Sequence, residues 1–292
     1  RYYGHWMRDE AAKRIGHLYP KVEVTAQMVK ERPDLKPYLG RQLEVIAWLW
    51  ARTVSSPNPA FANVQVPLVS TFMLTTKAGK ETYVEPVIQN GNYRFTVRLG
   101  APRDAEAAKA GTKLTRANFA CLMSGTPISG DYIKAEGKAG RMGARLMTIV
   151  AEGDRGRVYL APTPDHEAVA LLASPEWRPE GEIPARMTGG NCTPYGLTTW
   201  GDLFTSRQLV GLSTFSALVG EAIARVRRDA VTAGMPDDGK PLRDSGNQAT
   251  AYAEAVSVYL AFALDRTADY SSSIATWRPK DSAMRSTLAK QA

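Results

Sequence analysis

Over residues 93–99 apolar and polar side chains alternate without a break. Tyr93, Phe95, Val97 and Leu99 fall on one side of the segment and Arg94, Thr96 and Arg98 on the other. A period of two is that of a strand with one face on a core and one polar face. Residues 82–88 form a matching strand, and the intervening Gln89-Asn90-Gly91-Asn92 carries the Asn-Gly pair that favours a tight hairpin turn. Apolar stretches at 64–66 and 72–74 precede it, ending at Lys77-Ala78-Gly79-Lys80. The run 43–54 is apolar almost throughout, so periodicity does not separate helix from strand there. Residues 3–18, with Trp6, Ile15 and Leu18, read as a helix that closes at Tyr19-Pro20 because proline cannot continue the hydrogen-bond ladder. A connector broken by Pro33 and Pro37 follows. The Ala/Lys/Gly-rich stretch 101–113 reads as a mobile loop, residues 121–131 as turns, and 146–150 and 157–160 as two further short strands.

The spacing changes in the last third. Thr163-Pro164, with Asp165 and Glu167 behind it, opens a short helix that ends before Pro175, and a Pro/Gly-rich linker covers 175–196. Thr205-Ser206-Arg207-Gln208 is a capping box for a helix whose Leu209, Leu212, Phe215, Val219 and Val226 recur at helical intervals until Gly234-Met235-Pro236. A second helix over 248–270 is expected to bury Tyr252, Val256, Tyr259, Leu260, Ala263 and Leu264. The pattern as a whole predicts an α+β chain with a β-rich N-terminal half and a helical C-terminal third. Its expected segments are 1–54 (helical), 55–161 (β-rich and ribbon-like) and 162–292 (linker and helices).

A chain of 292 residues with 44% hydrophobic and 23% charged residues is globular in composition. No N-terminal signal pattern or uninterrupted membrane-length apolar run stands out, and two cysteines, Cys121 and Cys192, fit a reducing cytoplasm better than a disulfide framework. The net charge of +8 is unevenly placed: residues 1–165 hold 24 Lys/Arg against 15 Asp/Glu, and residues 166–292 hold 13 against 14. A basic half offers a surface to an anionic polymer.

Two segments look like the knuckles of a zinc ribbon. Ser56-Pro57-Asn58-Pro59-Ala60-Phe61 stands where such a ribbon carries Cys-x4-Cys, and Cys121-Leu122-Met123-Ser124-Gly125 where it carries Cys-x2-Cys-Gly. Zinc in such a site takes four thiolate or imidazole ligands, and Ser56, Phe61 and Ser124 supply none, so no bound metal is expected. Together with Ala47-Trp48-Leu49-Trp50-Ala51-Arg52-Thr53-Val54, the segment from Asp131 to Met147, Gly156-Arg157-Val158-Tyr159-Leu160, Thr198-Thr199-Trp200-Gly201-Asp202-Leu203-Phe204 and Leu264-Asp265-Arg266-Thr267-Ala268-Asp269-Tyr270, these residues resemble the family of adenine-specific DNA methylases containing a zinc ribbon.

The resemblance implies methyl transfer from S-adenosylmethionine to the exocyclic amine of adenine, on a base taken out of the stack. In that family a Gly-rich donor loop precedes the matched region and an Asp/Asn-Pro-Pro-Tyr motif follows it; this chain has neither, opens on Arg1 and stops at Ala292. It is therefore expected to be the middle of a larger enzyme, supplying scaffold and DNA contacts. No catalytic, cofactor-binding or metal-binding residue is expected in it. Its expected partners are DNA and the N- and C-terminal parts of the parent enzyme, with no membrane.

The candidate DNA contacts are Lys134, Lys138, Arg141 and Arg145, which bracket the glycines of Gly137-Lys138-Ala139-Gly140-Arg141-Met142-Gly143, and Arg155 and Arg157 just beyond. Tyr132 is placed to stack, and cations on a flexible backbone hold phosphates without reading bases. The glycine segment lacks the Gly-Lys-Ser/Thr ending of a nucleotide loop. His5, His17 and His166 are too scattered for a metal cluster or an acid–base pair, Cys192 has no basic neighbour to activate it, and Trp200 and Phe204 read as anchors for the linker. The alternative expectation is a structural or protein-interaction module without DNA contact.

Overall fold

The computed structural model describes residues 1–184 and 192–287 and shows an α+β chain. Helix α1 (Tyr2–Ile15) leads into strand β1 (Val22–Glu23), helix α2 (Ala26–Glu31) and strands β2 (Gln42–Leu43), β3 (Val45–Ser55), β4 (Gln65–Leu68), β5 (Met73–Thr75), β6 (Thr82–Gln89) and β7 (Asn92–Leu99). Helix α3 (Ala105–Ala110), the short strands β8 (Phe119–Ala120) and β9 (Pro127–Ile128), and helix α4 (Gly130–Lys138) follow. The hairpin β10 (Gly143–Gly153) and β11 (Gly156–Leu160) precedes helices α5 (Pro164–Leu171), α6 (Ser206–Thr232) and α7 (Ala249–Tyr270), and the chain closes on strands β12 (Trp277–Arg278) and β13 (Ala283–Met284).

The central sheet has the antiparallel order β11-β10-β3-β4. One side of it, through Leu49, Ala51, Val150 and Tyr159, packs against Val84, Tyr93, Phe95 and Val97 of the sheet β5-β6-β7. The other side, through Leu146, Ile149, Ala151 and Leu160, packs on Val22, Val24, Leu35 and Leu43. A strand buried on both faces carries no alternation, and this is why 43–54 showed no clean period. A third cluster, Val54, Val66, Cys121, Ile128 and Ile133, sits under α4.

The segment 101–113 is not a loop: Asp104 caps α3 by accepting from the Ala107 amide, Ala108 is buried, and the Phe72 amide donates to the Ala108 carbonyl. Leu99, at the end of its strand, points to solvent.

Thr205 and Gln208 form the capping box that starts α6. Met7 and Ala11 of α1 pack against Leu218 and Ala222 of α6, and α7 returns along α6 with Leu260 reaching the same cluster. The helices meet the β body at Arg207, whose guanidinium lies 4.3 Å from the Trp48 ring and 5.4 Å from Tyr19, while the Tyr19 hydroxyl donates to the Arg207 carbonyl. Beside it His166 is buried, and the Trp48 indole N–H donates to its Nδ1. α6 alone among the described helices is long and apolar enough to cross a membrane, and α1 and α7 flank it.

The segments read from sequence interleave in space: β3 runs through position 54, and α1 packs on α6. The prediction for α7 is overturned. Its buried residues near the start are Ala249, Ala251 and Ala253, whereas Tyr252 is 45% and Tyr259 76% exposed, Ala263 is exposed, and Val256, Leu260 and Leu264 are half-buried. Small residues let α7 approach its neighbours closely, which leaves its large side chains outside. Ile183, Cys192, Leu203, Trp200, Phe204 and Ile274 cluster where the linker meets the end of α7; residues 185–191 of that linker lie outside the described residues.

Candidate nucleic-acid interface

The two knuckle-like turns meet. Cys121 accepts the Gly125 amide on its carbonyl and donates its own to Thr126, and Gly125 takes a φ of 71° that suits glycine. The Cys121 sulfur lies 3.3 Å from the Ser56 hydroxyl. Burial pushes this thiol up, but the hydroxyls of Ser124 and Ser56 and the amides of Met123 and Ser124 outweigh it and set the thiol below its ordinary value. Three of the four ribbon positions thus converge as one thiol and two hydroxyls. The sulfur belongs to the apolar cluster under α4, so the knuckle works as a hydrogen-bonded plug. Among the described residues no group of three or more His, Cys, Asp or Glu side chains is placed to hold a metal ion.

The six candidate cations divide into groups. Lys134 and Lys138 lie on α4, and Arg141 follows it; Lys134 is 3.2 Å from Asp131, and Arg141 grips Glu136 at 2.6 Å, which holds the Glu136 carboxyl below its usual range. Arg145, near the start of β10, is 3.6 Å from Glu167 and lies over Tyr93, whose phenol burial pushes up to about 12. Arg155 sits in the turn at the far end of β10, and Arg157 lies 5.2 Å from the Trp277 ring. An 11-residue strand spans roughly 35 Å, so Arg145 and Arg155 mark opposite ends of the sheet.

Of the expected glycine loop, Gly137 and Lys138 belong to α4, Gly143 begins β10, and the residues between form a short, largely exposed turn. Gly137 is buried in α4 against the Tyr195 backbone, where an added Cβ would come within 2.4 Å of the Tyr195 carbonyl oxygen. This glycine serves close packing of two backbones, whereas Gly140 lies in the exposed turn after α4 with open space around it.

The structure gathers other cations that the sequence reading did not combine. On the outer face of β6 and β7, Arg94, Thr96 and Arg98 stand opposite Val87, Glu85 and Tyr83. The guanidinium of Arg32, just after α2, is pinned there by Asp34 and by the carbonyls of Val97 and Tyr159. Arg32, Arg94, Arg98, Thr96 and Glu31 surround a hollow of about 260 Å³, and Arg98, Arg103 and Tyr83 help line an adjoining hollow of about 490 Å³. Asp34 and Glu85 fix Arg32 and Arg98, while among the described residues no ion pair holds Arg94 or Arg103. The unpaired guanidinium groups of Arg94 and Arg103 can hold phosphodiester oxygens, and Tyr83 offers a ring beside them, while Glu31 and Glu85 also line the hollows. The signal was present in the alternation of residues 93–99, whose polar side carries two arginines.

Comparison with protein-family models, with curated proteins and with solved structures gives no match.

Proposed function

We propose that this chain is the DNA-contacting region of an adenine-specific DNA methyltransferase and that it grips the phosphate backbone through the outer face of β6 and β7. The observation that carries this reading is the pair of guanidinium-lined hollows at Arg32, Arg94, Arg98 and Arg103. The meeting of Ser56, Cys121 and Ser124 supports the ribbon resemblance on which the methyltransferase part rests. Arg94 and Arg103, which no ion pair holds among the described residues, carry the contact, and Arg32 and Arg98, like Lys134, Arg141 and Arg145, contribute less because carboxylates already face them; Lys138, Arg155 and Arg157 do not line these hollows. No step of methyl transfer is assigned to residues of this chain, and its place is with the DNA in the cytoplasm.

The test is fluorescence anisotropy of a labelled duplex at low salt. Saturable binding, displaced equally by unlabelled duplexes of unrelated sequence, is expected, because backbone contacts position without reading bases. No binding at low salt would reject the reading. It would favour the second one, an interaction module, for which the exposed aromatic residues of α7 speak.

A further inference from the structure

α7 leaves an apolar stripe open to solvent. Tyr252, Ala255, Tyr259, Phe262, Ala263 and Arg266 recur at intervals of three and four and share one face of the helix. Tyr259 is 76%, Phe262 62% and Tyr252 45% exposed, with Val258 at 45% on the flank. Large aromatics grouped in this way mark an interaction surface.

We propose that the occupant is the α7 of a second copy of this chain, packed antiparallel about a two-fold axis at Tyr259. The pattern of the stripe selects a like partner. An isologous contact must match itself when its ends are exchanged, and this one does. With Tyr259 at the axis, the bulky Phe262 meets the small Ala255 of the other copy, and Ala263 meets the half-buried Val256. At the ends the charge is complementary: Arg266, the stripe's one charged residue, meets the exposed ring face of Tyr252, a cation against a π system. In the single chain this guanidinium already lies 4.7 Å from the Tyr270 ring and donates to its hydroxyl, so it is held in place beside the stripe. No carboxylate lies on the stripe to repel a copy of itself. The inference stands apart from the DNA reading, since α7 contributes none of the cations named above.

Sedimentation of the full chain tests it. A dimer in equilibrium with monomer is expected. Tyr259→Lys, which sets two like charges face to face at the axis, is expected to raise the dissociation constant by at least about tenfold, with unchanged helical content by circular dichroism. Cross-linking reads the register. Under mild oxidation Tyr259→Cys is expected to form a disulfide dimer by itself, whereas Tyr252→Cys does so only when mixed with Arg266→Cys. A monomer at all accessible concentrations would overturn the proposal. So would a dimer that Tyr259→Lys leaves intact, or cross-linking at 252 alone.

Discussion

In the β body, Val84, Phe95 and Val97 are buried against Leu49, Val150 and Tyr159, while Arg94 and Arg98 of the same hairpin face water. On α7 the order is reversed: alanines lie inside, and Tyr259 and Phe262 face water. Both regions obey the geometry of their backbones, with period two in the strands and intervals of three and four in the helix. They differ in what stands opposite. A sheet face meets another sheet about 10 Å away and needs large side chains to fill the gap. A helix can approach its neighbour more closely through small residues and keep its large ones for something else. An apolar stripe therefore tells where a surface wants to be covered, not that the same chain covers it.

The sharpest way to break this contrast is to shave one side chain from each region. Ile149→Ala, in the middle of β10 with no exposed surface, is expected to cost about 2–5 kcal/mol in urea unfolding, as deletions from close-packed cores do. Tyr259→Ala, measured where the chain is monomeric, is expected to stay within about 0.5 kcal/mol of the parent. Equal losses at the two sites would remove the distinction.

The junction is the next test. Arg207 is buried, with its guanidinium beside Trp48 and Tyr19, and one N–H donates to the Leu18 carbonyl. Arg207→Ala is expected to cost about 2–3 kcal/mol, the worth of a desolvated cation–π contact and a charged hydrogen bond together. Arg207→Lys keeps the charge but not the flat stacking group, so it should recover only part of the loss. A loss confined to the helices, with the β body unfolding as before, would show that the two regions are independent units.

A smaller effect follows from pH at the same junction. Burial lowers the basicity of His166, outweighing the hydrogen bond to the Lys21 backbone, and Trp48 donates to its Nδ1, which must therefore carry a lone pair. Lys21, Asp165 and Arg207 are the groups that act on it. The folded protein thus holds this ring neutral, while the unfolded chain takes up a proton below about pH 6.5. The unfolded state binds more protons in that window, so stability falls as pH drops from about 6.5 towards the lowered folded value and levels off below it. His166→Gln is expected to remove this component from a stability–pH profile between pH 5 and pH 7. An unchanged profile would assign the dependence to other groups.

Much of the β body was legible in sequence because its signals are local. The Asn-Gly turn marks the β6–β7 hairpin, alternation places Tyr93, Phe95 and Val97 of β7 inward and misses only Leu99 at the strand end, and Thr205 with Gln208 marks the start of α6 to the residue. What stayed hidden depends on partners distant in sequence. The glycine of Gly137 looked like freedom until the Tyr195 backbone was found against it. Arg141 and Arg145 looked like free cations until Glu136 and Glu167 were found beside them. Conversely, Arg32 reaches the Val97 carbonyl beside Arg98 only because α2 ends next to β7, across 65 positions of the chain. A cation's own position tells nothing of which carboxylate will reach it, so charge counts gave the basic half without giving the basic face.

We propose that the outer face of β6 and β7, and neither α7 nor the α4 end, meets the phosphate backbone. The measurement that tests it most directly is the salt dependence of duplex binding for the parent chain, for Arg94→Ala/Arg103→Ala and for Arg141→Ala/Arg145→Ala. Each phosphate contact contributes a slope of about 0.9 in log affinity against log salt. The Arg94/Arg103 variant is expected to flatten the slope by up to about two contacts, and the Arg141/Arg145 variant by clearly less, since its cations are already paired. A slope that Arg94→Ala/Arg103→Ala leaves unchanged, or that Arg141→Ala/Arg145→Ala flattens more, would contradict the account.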